Sequence, residues 1–168
     1  MDTVLENISD TDRLRLAHFN APRRRIQFLV GRAVLWNMTG QMPVVDENGR
    51  PCVSGAHVSV AHSENWVIVA MASKNVGVDI ENCRKNRDFI TISADFFGEE
   101  SNSLFDFYKK FVAYESRFKV NDFNADVRYF QMGDYLMSVA GGDEDIEWCG
   151  YDGEIVPLIM PVSAKQEK

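Results

Sequence analysis

Two carboxylates on alternate positions, Asp79 and Glu81, close the apolar run VGVDIE at residues 76–81. On an extended strand successive side chains point to opposite faces, so Val76, Val78 and Ile80 share one face and Gly77, Asp79 and Glu81 the other. Residues i and i+2 lie about 6.5–7 Å apart along the backbone, near enough for two carboxylates to converge on one small cation. Two parallel like charges at a half-buried strand end repel, and a divalent ion or a basic partner would resolve that repulsion. Magnesium suits such a pair, because it takes oxygen ligands, commonly one or two carboxylates together with phosphate and water. Gly77 would leave space beside the acids for a ligand to approach the backbone. The same D-x-E pattern also suits the solvent face of an edge strand, where acids are ordinary.

A second constellation lies in FVAYESRFK, residues 111–119, where Glu115 and Lys119 stand at i and i+4 on one helix face. As chemistry, Glu115 is a third acid ligand or a general base, and Lys119 reaches a phosphate. As plain structure, they form a surface ion pair worth a few tenths of a kcal/mol. His62 ends a strand, and serves equally as a satisfied polar residue or a ligand contact. Arg13, Arg15, Arg23, Arg24, Arg25, Arg32 and Arg50 crowd into the first third of the chain. They suit either a solvated helix face or a local basic pocket for a small phosphorylated ligand.

These residues need elements to carry them. PRRRIQFLVGRAVLWNM, residues 22–38, spaces Ile26, Leu29, Val30, Ala33, Val34 and Trp36 at near-helical intervals, with Pro22 in the first turn and Gly40 as a stop. DENGRP is turn chemistry. Three strands follow, HVSVAHS, WVIVAMAS and VGVDIE, broken at Glu64-Asn65 and Lys74-Asn75. The first break has hairpin length and predicts antiparallel neighbours. CRKNRDFITISADFFGEESN reads as charged and irregular. A second helix then falls on SLFDFYKKFVAYESRFKV, where Leu104, Phe107, Tyr108, Phe111, Val112 and Phe118 make an apolar stripe. DVRYFQM, DYLMSVAG, IEWCGY and IVPLIM are further strand candidates. Each half thus runs helix, then strands, which suggests an internal duplication with its join in residues 82–103. The expected division is an N-terminal half over 1–85, a C-terminal half over 86–162 and a disordered tail over 163–168.

Composition narrows the function classes. A chain of 168 residues that is 45% hydrophobic and 11% aromatic has enough core formers for one domain or two small packed halves. No stretch approaches the roughly 20 apolar residues of a membrane span, and the opening MDTVLENISDTD lacks the basic flank and apolar segment of a signal peptide. Three cysteines, Cys52, Cys83 and Cys149, form no CxxC pair. They argue against a disulfide framework or a zinc site and for a reducing cytoplasmic setting. A net charge of −7 argues against nucleic acid as a general partner.

Taken in order, GRP, AHSENW, GVDIE, DFFGEE and FVAYESRFK resemble the 4′-phosphopantetheinyl transferase superfamily. The likeness is to its larger, internally duplicated type, which activates peptide and polyketide synthetases. That family carries a G-K-P-like turn, an S-H-S strand end followed by an aromatic, G-[IV]-D-[IV]-E, a paired-Phe segment with an acid, and W-x-x-K-E-x-x-x-K. The resemblance runs from about Arg23 to Lys119, and more loosely to DYLMSVAG. It implies an α+β fold of two pseudo-symmetric halves, each a helix packed on a small, mainly antiparallel sheet, with the site in the cleft between them and a monomeric chain. It implies transfer of the 4′-phosphopantetheine arm of coenzyme A to a serine of an acyl or peptidyl carrier protein, with Mg²⁺, releasing 3′,5′-ADP. By resemblance, Asp79, Glu81 and Glu115 hold the metal, Glu115 is also the general base, and Lys119 contacts a phosphate near the reacting centre. His62 and Arg50 would hold the adenosine 3′-phosphate, with Arg13, Arg15 and Arg25 extending that pocket. The chain departs from the pattern at Ala61 (usually serine), Tyr114 (usually lysine), Phe111 (usually tryptophan) and in its short second half. Those departures keep a second reading in view, a non-catalytic relative that binds a carrier protein or coenzyme A.

Overall fold

The computed structural model describes residues 2–84, 88–143, 145–147, 149 and 156–158. Two short helices open the chain, α1 (Asp2–Asn7) and α2 (Asp10–His18). The Ser9 hydroxyl starts α2 by accepting the Asp12 N–H at 3.1 Å, which satisfies one of the free donors of a first turn. Helix α3 (Pro22–Thr39) falls where the periodicity placed it, and Gly40 ends it at φ 68° with its N–H on the Trp36 carbonyl. Strands β1 (Val44–Val45) and β2 (Pro51–Cys52) flank the DENGRP turn. There the Asp46 carboxylate accepts the N–H groups of Asn48 and Arg50 at 2.9 and 2.7 Å.

Strands β3 (His57–Ser63) and β4 (Trp66–Ala72) form the expected antiparallel hairpin, with Ser63 opposite Trp66. Strand β5 (Val76–Asn82) follows. The segment read as irregular contains a helix, α4 (Phe89–Phe97). Asp88 caps it by accepting the Thr91 N–H, and Gly98 at φ 72° ends it. Helix α5 (Leu104–Val120) starts on the Ser103 hydroxyl and stops at Asn121, at φ 59°. Strands β6 (Val127–Met132), β7 (Tyr135–Gly141) and β8 (Val156–Leu158) complete the chain. In IEWCGY, the described residues Ile146, Glu147 and Cys149 form no strand. Trp148, Gly150 and Tyr151 lie outside the described residues, as do the ends of IVPLIM and the tail over 163–168.

The result is a mixed α+β architecture of helices on small antiparallel sheets. The largest sheet runs β5-β7-β6-β8, all neighbours antiparallel, and Asp79 stands opposite Ser138. This sheet therefore draws its strands from both sides of residue 85. Strand β3 packs against β5, and the Ser59 hydroxyl accepts the Val78 N–H at 3.1 Å.

One face of β5 sends Val76, Val78 and Ile80 into a core shared with Ala61, Phe130, Met137 and Val139. The other face, carrying Gly77 and Asp79, lies beneath α5. It is not open to solvent, since Gly77 and Asp79 are both buried. The space beside Gly77 is not available to a ligand either. A Cβ there would run into the Ser116 carbonyl oxygen and come within 2.9 Å of the Val120 nitrogen, so the backbone of α5 occupies it. Ser138, buried on β7, donates to the Val112 carbonyl at 2.6 Å and adds a second tie between helix and sheet.

At the N-terminal end, Arg32 of α3 donates from Nε and Nη2 to the two carboxylate oxygens of Asp12, at 2.6 and 2.9 Å, with both side chains buried. Val4, Ile8, Leu16 and Phe28 form a hydrophobic cluster here, and the Arg32 guanidinium lies 4.5 Å over the Phe28 ring.

Two stability changes follow. Gly77→Ala should cost at least the roughly 1–3 kcal/mol of overpacking, because the obstructing atoms are backbone and cannot turn aside. Asp12→Ala should cost about 3–5 kcal/mol, the penalty of leaving Arg32 buried without its partner. Urea denaturation midpoints check both.

Candidate functional site

The roofing of β5 by α5 decides where the chemistry-bearing residues meet. Lys119, in the last turn of α5, turns its ammonium back onto β5. It donates to Asp79 Oδ1 at 2.7 Å and to the Val78 carbonyl at 2.9 Å. Asp79 is 7% exposed, and its second oxygen, Oδ2, is buried with no hydrogen-bond partner. An unpaired carboxylate oxygen out of water is costly. Burial pushes the Asp79 carboxyl up to about 6, Lys119 pulls against that shift, and the charges of Glu115 and Glu81 add to it. Both other expected acids therefore act on Asp79, Glu81 from β5 and Glu115 from α5.

The flank of the seam comes from the β3–β4 hairpin. The Ser63 hydroxyl lies 3.4 Å from Glu81 Oε2. Glu64, in the hairpin turn, accepts from Asn82 at 2.8 Å and from the Tyr135 hydroxyl at 2.7 Å. His62 is half-buried, and its imidazole is pushed down to about 4 by burial, then by the positive charges of Arg24 and Lys119. His62 thus belongs to the same neighbourhood as Lys119.

Arg24 completes a basic cluster that the motif reading did not assign to the site. It lies 4.9 Å over the Phe19 ring, and burial, then Arg15 and Arg32, lower its pKa. The signal available in the sequence was its place in the PRRR run at the start of α3, which does not say which arginine turns inward.

The remaining expected cations divide. Arg50 donates to the Phe118 carbonyl at 3.2 Å and lies 5.6 Å over the Phe118 ring, so the GRP turn docks beside Lys119. Arg15 donates to the Gly49 carbonyl at 2.8 Å and holds that turn from the other side. Arg13 is exposed and donates to the Glu6 carbonyl at 3.1 Å, away from the seam. Arg25 is exposed on α3. The structure pairs Asp79 with Lys119, sets Glu81, Glu115 and His62 within electrostatic reach of that pair, brings Arg15 and Arg50 to its border, and leaves Arg13 outside.

Tyr114 does not take the place of a phosphate-facing lysine. Its ring stands edge-on to Phe96 at 4.8 Å and near Phe123 at 5.4 Å. It lines a cavity of about 250 Å³ with Phe97, Lys110, Arg117 and Tyr129. Adjacent residues on a helix point about 100° apart, so Tyr114 and Glu115 serve different surfaces. Ala61, at the usual serine position, is 2% exposed in the core.

Among the described residues, no group of three His, Cys, Asp or Glu side chains comes together closely enough to hold a metal ion. The donor chemistry nonetheless fits a hard cation. The acids offer oxygen ligands only, and Asp79 Oδ2 is orphaned. Comparison of the chain with protein-family models and with curated proteins yields no match. Among the described residues, no helix is long and apolar enough to cross a membrane.

The depressed His62 imidazole gives a measurable signature. Its folded pKa lies below the unfolded value, so between about 4 and 6.5 the unfolded chain binds more protons. His62 therefore adds a component of folding stability that rises with pH through that window and is lost on acidification. His62→Gln should flatten the rise in urea-denaturation stability between pH 4 and 6.5. The proton NMR resonances missing from that variant should titrate in the parent near pH 4.

Proposed function

We propose that this protein is a 4′-phosphopantetheinyl transferase, moving the phosphopantetheine arm of coenzyme A to a serine hydroxyl of an acyl or peptidyl carrier protein. The observation that supports the reading is the buried Asp79 at one strand–helix seam, paired with Lys119 and acted on by the charges of Glu81 and Glu115, with His62 under the influence of Lys119 and Arg24. Transfer at phosphorus asks little covalent chemistry of a protein. It asks for positioning and for opposite charge around a developing anion.

Asp79, Glu81 and Glu115 would hold a divalent cation, and Mg²⁺ bound there would neutralise charge on the coenzyme A diphosphate. Glu115 takes the proton of the carrier serine as its oxygen attacks the phosphorus bearing the pantetheine arm. The bond to the adenosine-side phosphate breaks, and 3′,5′-ADP leaves with that bond's electrons. Lys119 offers its ammonium to the diphosphate. Arg24 and Arg50 form the positive border toward the adenosine phosphate, and the neutral His62 imidazole offers it a ring N–H. The arrangement α3 then the β3–β4 hairpin, repeated as α5 then the β6–β7 hairpin, supports the pseudo-symmetric halves of that fold. The same reading makes the chain a cytoplasmic monomer.

A second reading, a non-catalytic binder of coenzyme A or a carrier protein, is favoured by one feature. Tyr114 is committed to an aromatic cluster, so the usual lysine has no substitute. Carrier-protein mass after incubation with coenzyme A and Mg²⁺ separates the two. The transferase adds one phosphopantetheine arm. Glu115→Gln should slow the addition by about 10²–10⁴-fold, the usual worth of general acid–base catalysis, and Asp79→Ala should abolish it. Coenzyme A binding with unchanged carrier mass at every protein concentration would establish the binder.

A further inference from the structure

The seam poses a problem of occupancy. The Lys119 ammonium already holds two oxygens, Asp79 Oδ1 and the Val78 carbonyl. These are the kind of donors a hard cation takes. Asp79 Oδ2 meanwhile stays buried and unpaired on a residue that is 7% exposed. Lys119 thus compensates half of one carboxylate, while Glu81 and Glu115 add negative charge around it. Its side chain retains 25% exposure, against 10% for Asp79, so the lysine is the partner with room to swing out. Its four-carbon stem and single point charge permit that movement without disturbing the helix backbone.

We propose that Lys119 is a displaceable internal cation. It occupies the acid site at rest, yields Asp79 to an incoming divalent ion, and transfers its ammonium to the diphosphate that arrives with that ion. This rests on the reading of the seam as a divalent-cation and diphosphate site. Its consequence is that metal and diphosphate bind cooperatively, because the metal releases the charge the diphosphate needs and the diphosphate holds the lysine away from Asp79. Such coupling between two ligands ordinarily amounts to about 5–150-fold in affinity.

Mn²⁺ and inorganic pyrophosphate are suitable probes on the full chain, with bound Mn²⁺ read by electron paramagnetic resonance. Lys119→Met should bind Mn²⁺ alone at least about fivefold more tightly than the parent. It should also lose most of the added affinity that pyrophosphate confers on the parent, whereas Lys119→Arg should keep the parent's weak Mn²⁺ binding. Without metal, Lys119→Met should melt at a lower temperature than the parent, and Mn²⁺ should restore much of the difference. Equal or weaker Mn²⁺ binding by Lys119→Met would overturn the proposal.

Should that variant not fold, the parent chain still decides. Labelling by an amine-reactive reagent, located by mass spectrometry, should rise at Lys119 when Mn²⁺ is added and fall again with pyrophosphate. Labelling unchanged by Mn²⁺ would overturn the proposal. Neither experiment reads carrier modification. A chain showing this exchange while modifying no carrier would refute the transferase reading alone. A chain that modifies its carrier with Lys119 unmoved by metal would refute this inference alone.

Discussion

The close approach of the α5 backbone to β5 at Gly77 is the constraint on which the rest depends. No residue with a Cβ fits beneath the Ser116 carbonyl, so the helix can settle directly on the strand only because position 77 is glycine. That contact sets the height of α5 over the sheet. Lys119 comes down within 2.7 Å of Asp79, and Ser138 reaches the Val112 carbonyl. A helix held a side chain's thickness further out would carry Lys119 away from Asp79 and open the seam.

Charge is distributed around that contact in a way that separates support from chemistry. Arg32 is consumed by Asp12 inside the N-terminal core. Arg15 and Arg50 spend donors on the carbonyls of Gly49 and Phe118, and so fasten the GRP turn between α2 and the end of α5. Burial, and then the positive charges of Arg24 and Lys119, hold the His62 imidazole neutral at physiological pH. An acidic protein, at net charge −7, thereby maintains a small positive region beside a negative one. That juxtaposition suits a phosphorylated ligand bound with a cation.

Much of the fold was legible because local physics and tertiary packing agree. The limits of α3, both strands of the β3–β4 hairpin, β5, α5 and the β6–β7 pair follow from apolar periodicity and turn residues. Helix α4 was hidden because it is only nine residues long and set between charged stretches, although Phe89, Ile92 and Phe97 do form a face that packs on the core. Helices α1 and α2 were obscured in the same way by the polar opening, although Ser9 is a good cap. Of the site, Asp79, Glu81, Glu115, Lys119 and His62 were visible as types at telling spacings. Arg24 was not, since three arginines in succession differ only in which way a helix turns them.

By itself the sequence determined most of the elements, their polarity and the residues able to do chemistry, because alternation on a strand and i, i+4 spacing on a helix are properties of local geometry. The tertiary structure alone decided what those residues touch. It showed that the glycine beside the acids makes room for a helix backbone and not for a ligand, that Tyr114 turns into an aromatic cavity, and that Lys119 neutralises Asp79 across 40 positions of chain. The reason is physical: burial and pairing of a charge depend on which surfaces close over it, and contacts distant in sequence leave no periodic trace in either segment.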